Sequence, residues 1–110
     1  MKAIVVTTAD PVSIRGSRLI ADRLYDMSIQ DVRLLINRLV PERVFGGAVP
    51  NLDYCIDAVG ARLIGVLPES DSIALASAGI GQLPKGSRES KIFSNIAQRI
   101  EGEEVPLLVR

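Results

Sequence analysis

The sequence predicts an α/β unit in three layers, with about three parallel strands and about four helices. Hydrophobic residues make up 47% of the 110 positions and aromatics only 4%. An interior built from Ile, Leu, Val and Ala suits a parallel sheet covered on both faces better than an aromatic-rich sandwich. Three short apolar runs recur, Ala3 to Val6, Val32 to Ile36 and Leu63 to Leu67. Each is rich in β-branched residues and too short for a helix, as expected of buried strands. The segments between them carry helix-start residues and apolar positions at helical spacing. A chain of 110 residues bounds the whole to a single α/β unit, residues 1–110.

Taken in order, the first run ends in Thr7, Thr8 and Asp10. Ser13 is the expected cap of a helix whose Ile20, Leu24 and Met27 fall on one face, with Asp22 and Arg23 largely off it. The second strand closes a first βαβ unit by Ile36. The stretch RLVPERVFGGAVP holds two prolines and a Gly-Gly pair, too irregular for a long helix. Asn51 then caps a helix carrying Leu52, Ile56 and Val59, and Gly60 closes it. The third run, LIGVL, needs no polar alternation if both of its faces are covered, and Pro68 is tolerated because the strand is over. Ser70 is placed to cap a short Ala-rich helix ending near Gly79, and GQLPKGS reads as a loop. Ser87 opens a last helix with Ile92, Ile96 and Ile100 on one face, stopped by Gly102.

Composition excludes several functions. Thirteen basic and thirteen acidic residues cancel, so the chain lacks the charge excess that grips nucleic acid or an anionic membrane. Without histidine there is no Ser-His or Cys-His couple and no imidazole metal site. No pair of carboxylates stands out as acid and base. Cys55 is alone, cannot form an intrachain disulfide and is expected to be a buried structural thiol, which fits a reducing cytoplasm. AIVV after Lys2 is too short for a secretion signal. GIGQLPKGS is not a phosphate loop: its order is Lys-Gly-Ser and it follows a helix, whereas a Walker A loop runs GxxxxGK[ST] from a strand into a helix. Arg15, Arg18 and Arg23 read as a solvated helix face.

In open parallel sheets the ligand crevice lies beyond the carboxyl ends of the strands. The polar residues at the three endings, Thr7, Thr8 and Asp10, then Asn37 and Arg38, then Pro68 and Glu69, are therefore candidates for a site wall or ordinary turn and cap residues. Asn37 can both donate to and accept from a purine edge, and it is equally a turn-forming residue.

AIVVTTADPVSIRGSRLI, LLINRLVPERV, LIGVLPESDSI and KIFSNIAQRIEGEEVPLL stand in the order and spacing of one known family. They resemble the C-terminal part of the MinD family, in the MinD/ParA class of deviant-Walker P-loop ATPases, over nearly the whole chain. The resemblance implies half of a P-loop-NTPase-like fold from a protein of cell-division-site (septum) positioning. Intact members use ATP and ADP with Mg²⁺, held by a KGGxGKT loop and aspartates of their N-terminal half. That loop does not occur in this sequence, so the chain alone is expected neither to hydrolyse ATP nor to bind nucleotide tightly. The resemblance also implies an adenine-binding set: Asn37, Arg38, Leu67, Pro68 and Glu69. Where the family carries acidic residues on a helix that meets Min-system partners, Gly16, Ser17 and Arg18 stand here. The family's basic membrane-targeting helix does not follow VPLLVR, so no membrane anchor is expected in this chain. Self-association or pairing with the missing N-terminal half is expected, because a half sheet bares an edge and an apolar face. The alternative is a non-catalytic interaction or scaffold module that kept the fold and lost the nucleotide.

Overall fold

The computed structural model describes residues 2–40, 51–71, 73, 79 and 85–102. Their elements run β1 (Lys2–Thr7), α1 (Pro11–Asp26), β2 (Asp31–Leu39), α2 (Leu52–Val59), β3 (Arg62–Pro68) and α3 (Arg88–Ile100). The strands form one parallel sheet in the order β1-β2-β3. The three apolar runs are thus the three strands, each longer by a residue or more at both ends. Of the expected fourth helix, the hydroxyl of Ser70 accepts from the Ile73 N–H at 3.3 Å, and most of the remainder lies outside the described residues, as does most of GQLPKGS.

Period-two alternation in β2 divides the interior in two. Val32, Leu34 and Ile36 point to one face, where they pack with Ile14 and Ala21 of α1 and Cys55 and Val59 of α2. Leu35 points to the other face and packs against a smaller cluster of Leu67, Ile92 and Ile96 beneath α3. Helices therefore cover both faces, giving the three layers the composition called for. Burying each of the Val, Leu and Ile side chains among them contributes about 1.5–3 kcal/mol.

The α2 and α3 readings hold. Asn51 Oδ1 accepts from the Tyr54 N–H at 2.8 Å, and Gly60 ends α2 with φ 78°, a left-handed conformation that favours glycine. Ser87 Oγ accepts from the Ser90 N–H at 3.2 Å, and Ile92, Ile96 and Ile100 face the sheet.

The α1 reading needs correction at two points. The cap is Asp10, three residues before Ser13, and Pro11 follows it with a φ already suited to a first helical turn. The buried stripe is Ile14, Ser17 and Ala21, with Leu24 half-buried, whereas Ile20 is 54% and Met27 68% exposed. Small Ser17 and Ala21 let the helix backbone come close to its neighbours, and larger side chains one residue away, turned by about 100°, are left outside.

α3 lies almost on the backbone of β3. A Cβ built on Gly65 would overlap Ile96 Cγ1, stand 2.7 Å from Ile96 Cδ1 and 3.2 Å from Leu35 Cδ1. Only glycine fits there without shifting the Ile96 side chain. Gly65→Ala is expected to lower stability by about 1–3 kcal/mol through overpacking, read as a lower urea midpoint at unchanged slope. Gly16→Ala, in the middle of α1 with nothing within 4 Å, is expected to move the midpoint up by about 0.5–1 kcal/mol.

Candidate functional site

The carboxyl ends of all three strands meet at one end of the sheet. β1 leads into Thr8, Ala9 and Asp10. β2 does not finish straight: Arg38 takes φ 52°, and the Asn37 side-chain carbonyl accepts from the Arg38 N–H at 2.9 Å. A non-glycine residue in this region costs about 1–2 kcal/mol, offset in part by that bond. The kink slips the register so that Leu39 pairs with Pro68, and the Glu69 N–H donates to the Leu39 carbonyl at 2.8 Å. The same slip carries Arg38 and Glu69 to one cleft of about 290 Å³, bordered also by Thr8, Asp10 and Val40. A shallower groove of about 550 Å³ continues beside it, between α1 and the end of β1, where Ser13, Gly16 and Ile20 meet Asn37 and Arg38.

Of the residues expected at an adenine site, Arg38 and Glu69 share the cleft and Asn37 borders the groove. Leu67 and Pro68 line neither. Leu67 is buried against Ile92 and Ile96, and Pro68 is buried at the end of β3, so together they fix where Glu69 emerges. Arg38 and Glu69 are exposed, and among the described residues neither enters an ion pair. Asn37 Oδ1 accepts from the Arg38 N–H, which leaves one further acceptor site on that oxygen and the Nδ2 amide to offer a ligand.

Asp10 has a different job. The Thr8 hydroxyl donates to one carboxylate oxygen, the Ser13 N–H donates to the other at 3.0 Å, and Ser13 Oγ lies 2.8 Å from Thr8 Oγ1. These bonds, the Thr8 hydroxyl first, push the Asp10 pKa down to about 2. So weak a base is unsuited to accept protons near neutrality, and its lone pairs are committed to the cap. The Asp-Pro-x-x-Ile beginning was the signal in the sequence for this start. No group of three or more His, Cys, Asp or Glu among the described residues could hold a metal ion. Cys55, fully buried, has its thiol pKa pushed up by desolvation.

A parallel sheet with helices on both faces and a crevice at the strand ends defines the chain as an open α/β unit of the doubly wound kind. The structure overlays the MinD cell division protein of Aquifex aeolicus with a TM-score of 0.88 at 26% identity, over 96% of this chain and 46% of that one. It overlays a chain of the MinC:MinD cell division protein complex of the same organism with a TM-score of 0.85. In sequence the chain matches one part of the septum site-determining protein MinD. It is 31% identical to that of Synechocystis sp. over 97% of this chain and 41% of the relative. The MinD of Bacillus subtilis is 34% identical over 98% of this chain and 41% of the relative. A putative MinD of Emiliania huxleyi is 36% identical over 97% and 40%. The chain thus spans about 41% of the length of the curated relatives it matches. No family model matches.

The cap predicts a pH dependence. Because the Asp10 pKa is depressed in the folded state, its contribution is present above the ordinary carboxylate range and lost as pH falls through about 2. Asp10→Ala is expected to cost about 1 kcal/mol near neutrality in urea unfolding. The gap to the parent protein should close as pH falls from about 5 to about 2.

Proposed function

We propose that the chain forms the adenine side of the nucleotide site in a MinD-like protein of division-site selection. The observation that carries this reading is the delivery of Arg38 and Glu69, by the kink at Asn37, to one cleft at the strand ends of a chain that matches MinD. The Glu69 carboxylate suits the exocyclic amine of a purine, and the Arg38 guanidinium and the Asn37 amide suit its ring acceptors. Leu67 and Pro68 serve by holding this end of β3. These 110 residues contain no GxxxxGK[ST] loop. Phosphates and Mg²⁺ therefore fall to another polypeptide segment, and the chain by itself supplies neither the electrostatic cradle nor the base that hydrolysis needs.

The cytoplasm is the proposed setting, and no helix among the described residues is long and apolar enough to cross a membrane. Min-system proteins are proposed partners, since a solved relative is a MinC:MinD complex. On α1, Arg18 is exposed, pairs with Asp22 at 3.2 Å and donates to the Ala58 carbonyl at 3.1 Å, while Ser17 is buried. A partner there would meet Arg15, Gly16 and Arg18 instead of an acidic face. We further propose that the chain associates with another copy of itself or with the polypeptide segment that supplies the remaining MinD fold.

The second reading, an interaction module that has given up nucleotide, is favoured by one detail: one of the two lone pairs of the Asn37 carbonyl is already taken by the Arg38 N–H. A base held alone contributes only a few kcal/mol, so AMP or ADP is expected to bind at roughly millimolar strength. Amide shifts at Asn37, Arg38 and Glu69 during an NMR titration, abolished by Glu69→Ala and weakened by Asn37→Ala, are the expected result. A flat titration for AMP and ADP alike would leave the interaction module standing. ATP turnover by the purified chain is expected at the buffer blank.

A further inference from the structure

β2 and β3 share one register at their starts and ends and another in between. Arg33 pairs with Arg62 and Leu34 with Leu63, but Leu35 pairs with Gly65 and Ile36 with Val66, so Ile64 is an extra residue of β3 with no opposite number. Further on, Asn37 and Arg38 stand where β3 has Leu67 alone, before Leu39 pairs with Pro68. The bulge at Ile64 advances β3 by one residue, the kink at Arg38 advances β2 by one, and the two cancel. Because side chains alternate along a strand, the bulge also assigns faces. Gly65 and Leu67 meet α3, while Leu63 and Val66, three residues apart, both pack on the side of α1 and α2.

A bulge disrupts the ladder, and the carbonyls it frees need donors. Consecutive carbonyls of a regular strand point to opposite edges, yet those of Leu63 and Ile64 meet one guanidinium. Arg99 Nη2 donates to the Leu63 carbonyl at 3.1 Å and Nε donates to the Ile64 carbonyl at 2.9 Å. From there α3 follows β3 to the site. Ile96 lies on Gly65, Ile92 packs with Leu67, and in the first turn Glu89 Oε1 accepts from the Ser70 hydroxyl at 3.2 Å, one residue past Glu69.

We infer that Arg99 is a positioning residue for the cleft: by satisfying both carbonyls of the Ile64 bulge, it holds β3 in the register that brings Glu69 beside Arg38. With no bulge, the kinked β2 would set Leu39 against Leu67 and carry Glu69 about 3.3 Å beyond its place, its side chain on the other face. The Leu39 carbonyl, which now accepts from the Glu69 N–H, would then meet Pro68, which has no N–H to give. Arg99 does not itself border the cleft, so it acts through the strand. What the cleft binds rests on the adenine reading above, and the positioning does not.

Amide hydrogen exchange on the full chain without nucleotide tests the positioning. The Glu69 N–H, bound to the Leu39 carbonyl at 2.8 Å, reports the register at the site, and the amides of the β1–β2 ladder report the stability of the whole. Arg99→Met keeps an apolar stem, and Arg99→Lys keeps stem and charge, but both lack the two-pronged donor. In each, exchange at Glu69 is expected to accelerate about tenfold more than exchange in the ladder, with a changed amide shift at Arg38. Val59→Ala, which opens the opposite core cluster, should accelerate Glu69 no more than the ladder. Equal acceleration of Glu69 and the ladder in the Arg99 variants would overturn the inference. Loss of folding in both would overturn it too, by assigning Arg99 to the fold as a whole. A flat AMP titration of the parent chain counts against the adenine reading alone, and leaves the exchange comparison to decide the role of Arg99.

Discussion

Burial of β2 on both of its faces is the constraint on which the rest depends. A strand in the middle of a parallel sheet has hydrogen-bonding partners on either side and needs apolar cover above and below. Val32, Leu34 and Ile36 obtain that cover from α1 and α2, and Leu35 obtains it from α3. The two demands are met by different means. Above, two helices share the load over a wide cluster. Below, one helix must come close enough to reach Leu35 across β3, and the absence of a side chain at Gly65 is what allows the approach. Where α3 does not reach, over Ile4 and Val6, the sheet stays bare.

The same strand also makes the site. A β2 that ran straight to Leu39 would keep its pairing with β3 in step and turn Asn37 and Arg38 to opposite faces of the sheet. The left-handed turn at Arg38 instead breaks the ladder between Ile36 and Leu39. Backbone strain at a strand end is where a ligand-binding role is commonly found, and here it coincides with the meeting of three strand endings. Asp10 and Thr8 border the same cleft, yet their bonds go to the start of α1. They shape one wall without being free to react.

The legibility of this sequence varied with the strength of the local signal. The strands could be read because short, largely apolar runs that hold Ile and Val and are bounded by turn residues are too short for helices. α2 and α3 could be read because Asn51 and Ser87 are strong caps and the isoleucines of α3 recur at a spacing of four. α1 misled because it offers two apolar stripes. Ile20 and Met27 are the larger residues, and choosing them ignores that Ser17 and Ala21 allow the closer approach that β1 and β2 require. At the site, the region was legible and the division of labour was not. Leu67, Pro68 and Glu69 are consecutive, and sequence alone cannot say that the first two turn inward while the third reaches the cleft. The turn at Arg38 had no signal either, since an arginine there carries none of the marks of glycine or asparagine.

The last turn of α3 is held from both sides of the sheet. Arg99 and Lys2 sit at opposite edges of one sheet and both answer to the last turn of α3. Arg99 projects from that turn onto the carbonyls of β3, and Lys2 reaches up to the carbonyl of Ile100. A cation near a helix C-terminus is favourable wherever it comes from, by about 0.3–1 kcal/mol, so both contacts stabilise α3 in its place. Arg99 ties the last turn of α3 to β3 and Lys2 ties it to β1, so one helix end is fastened to the two outer strands of the described sheet.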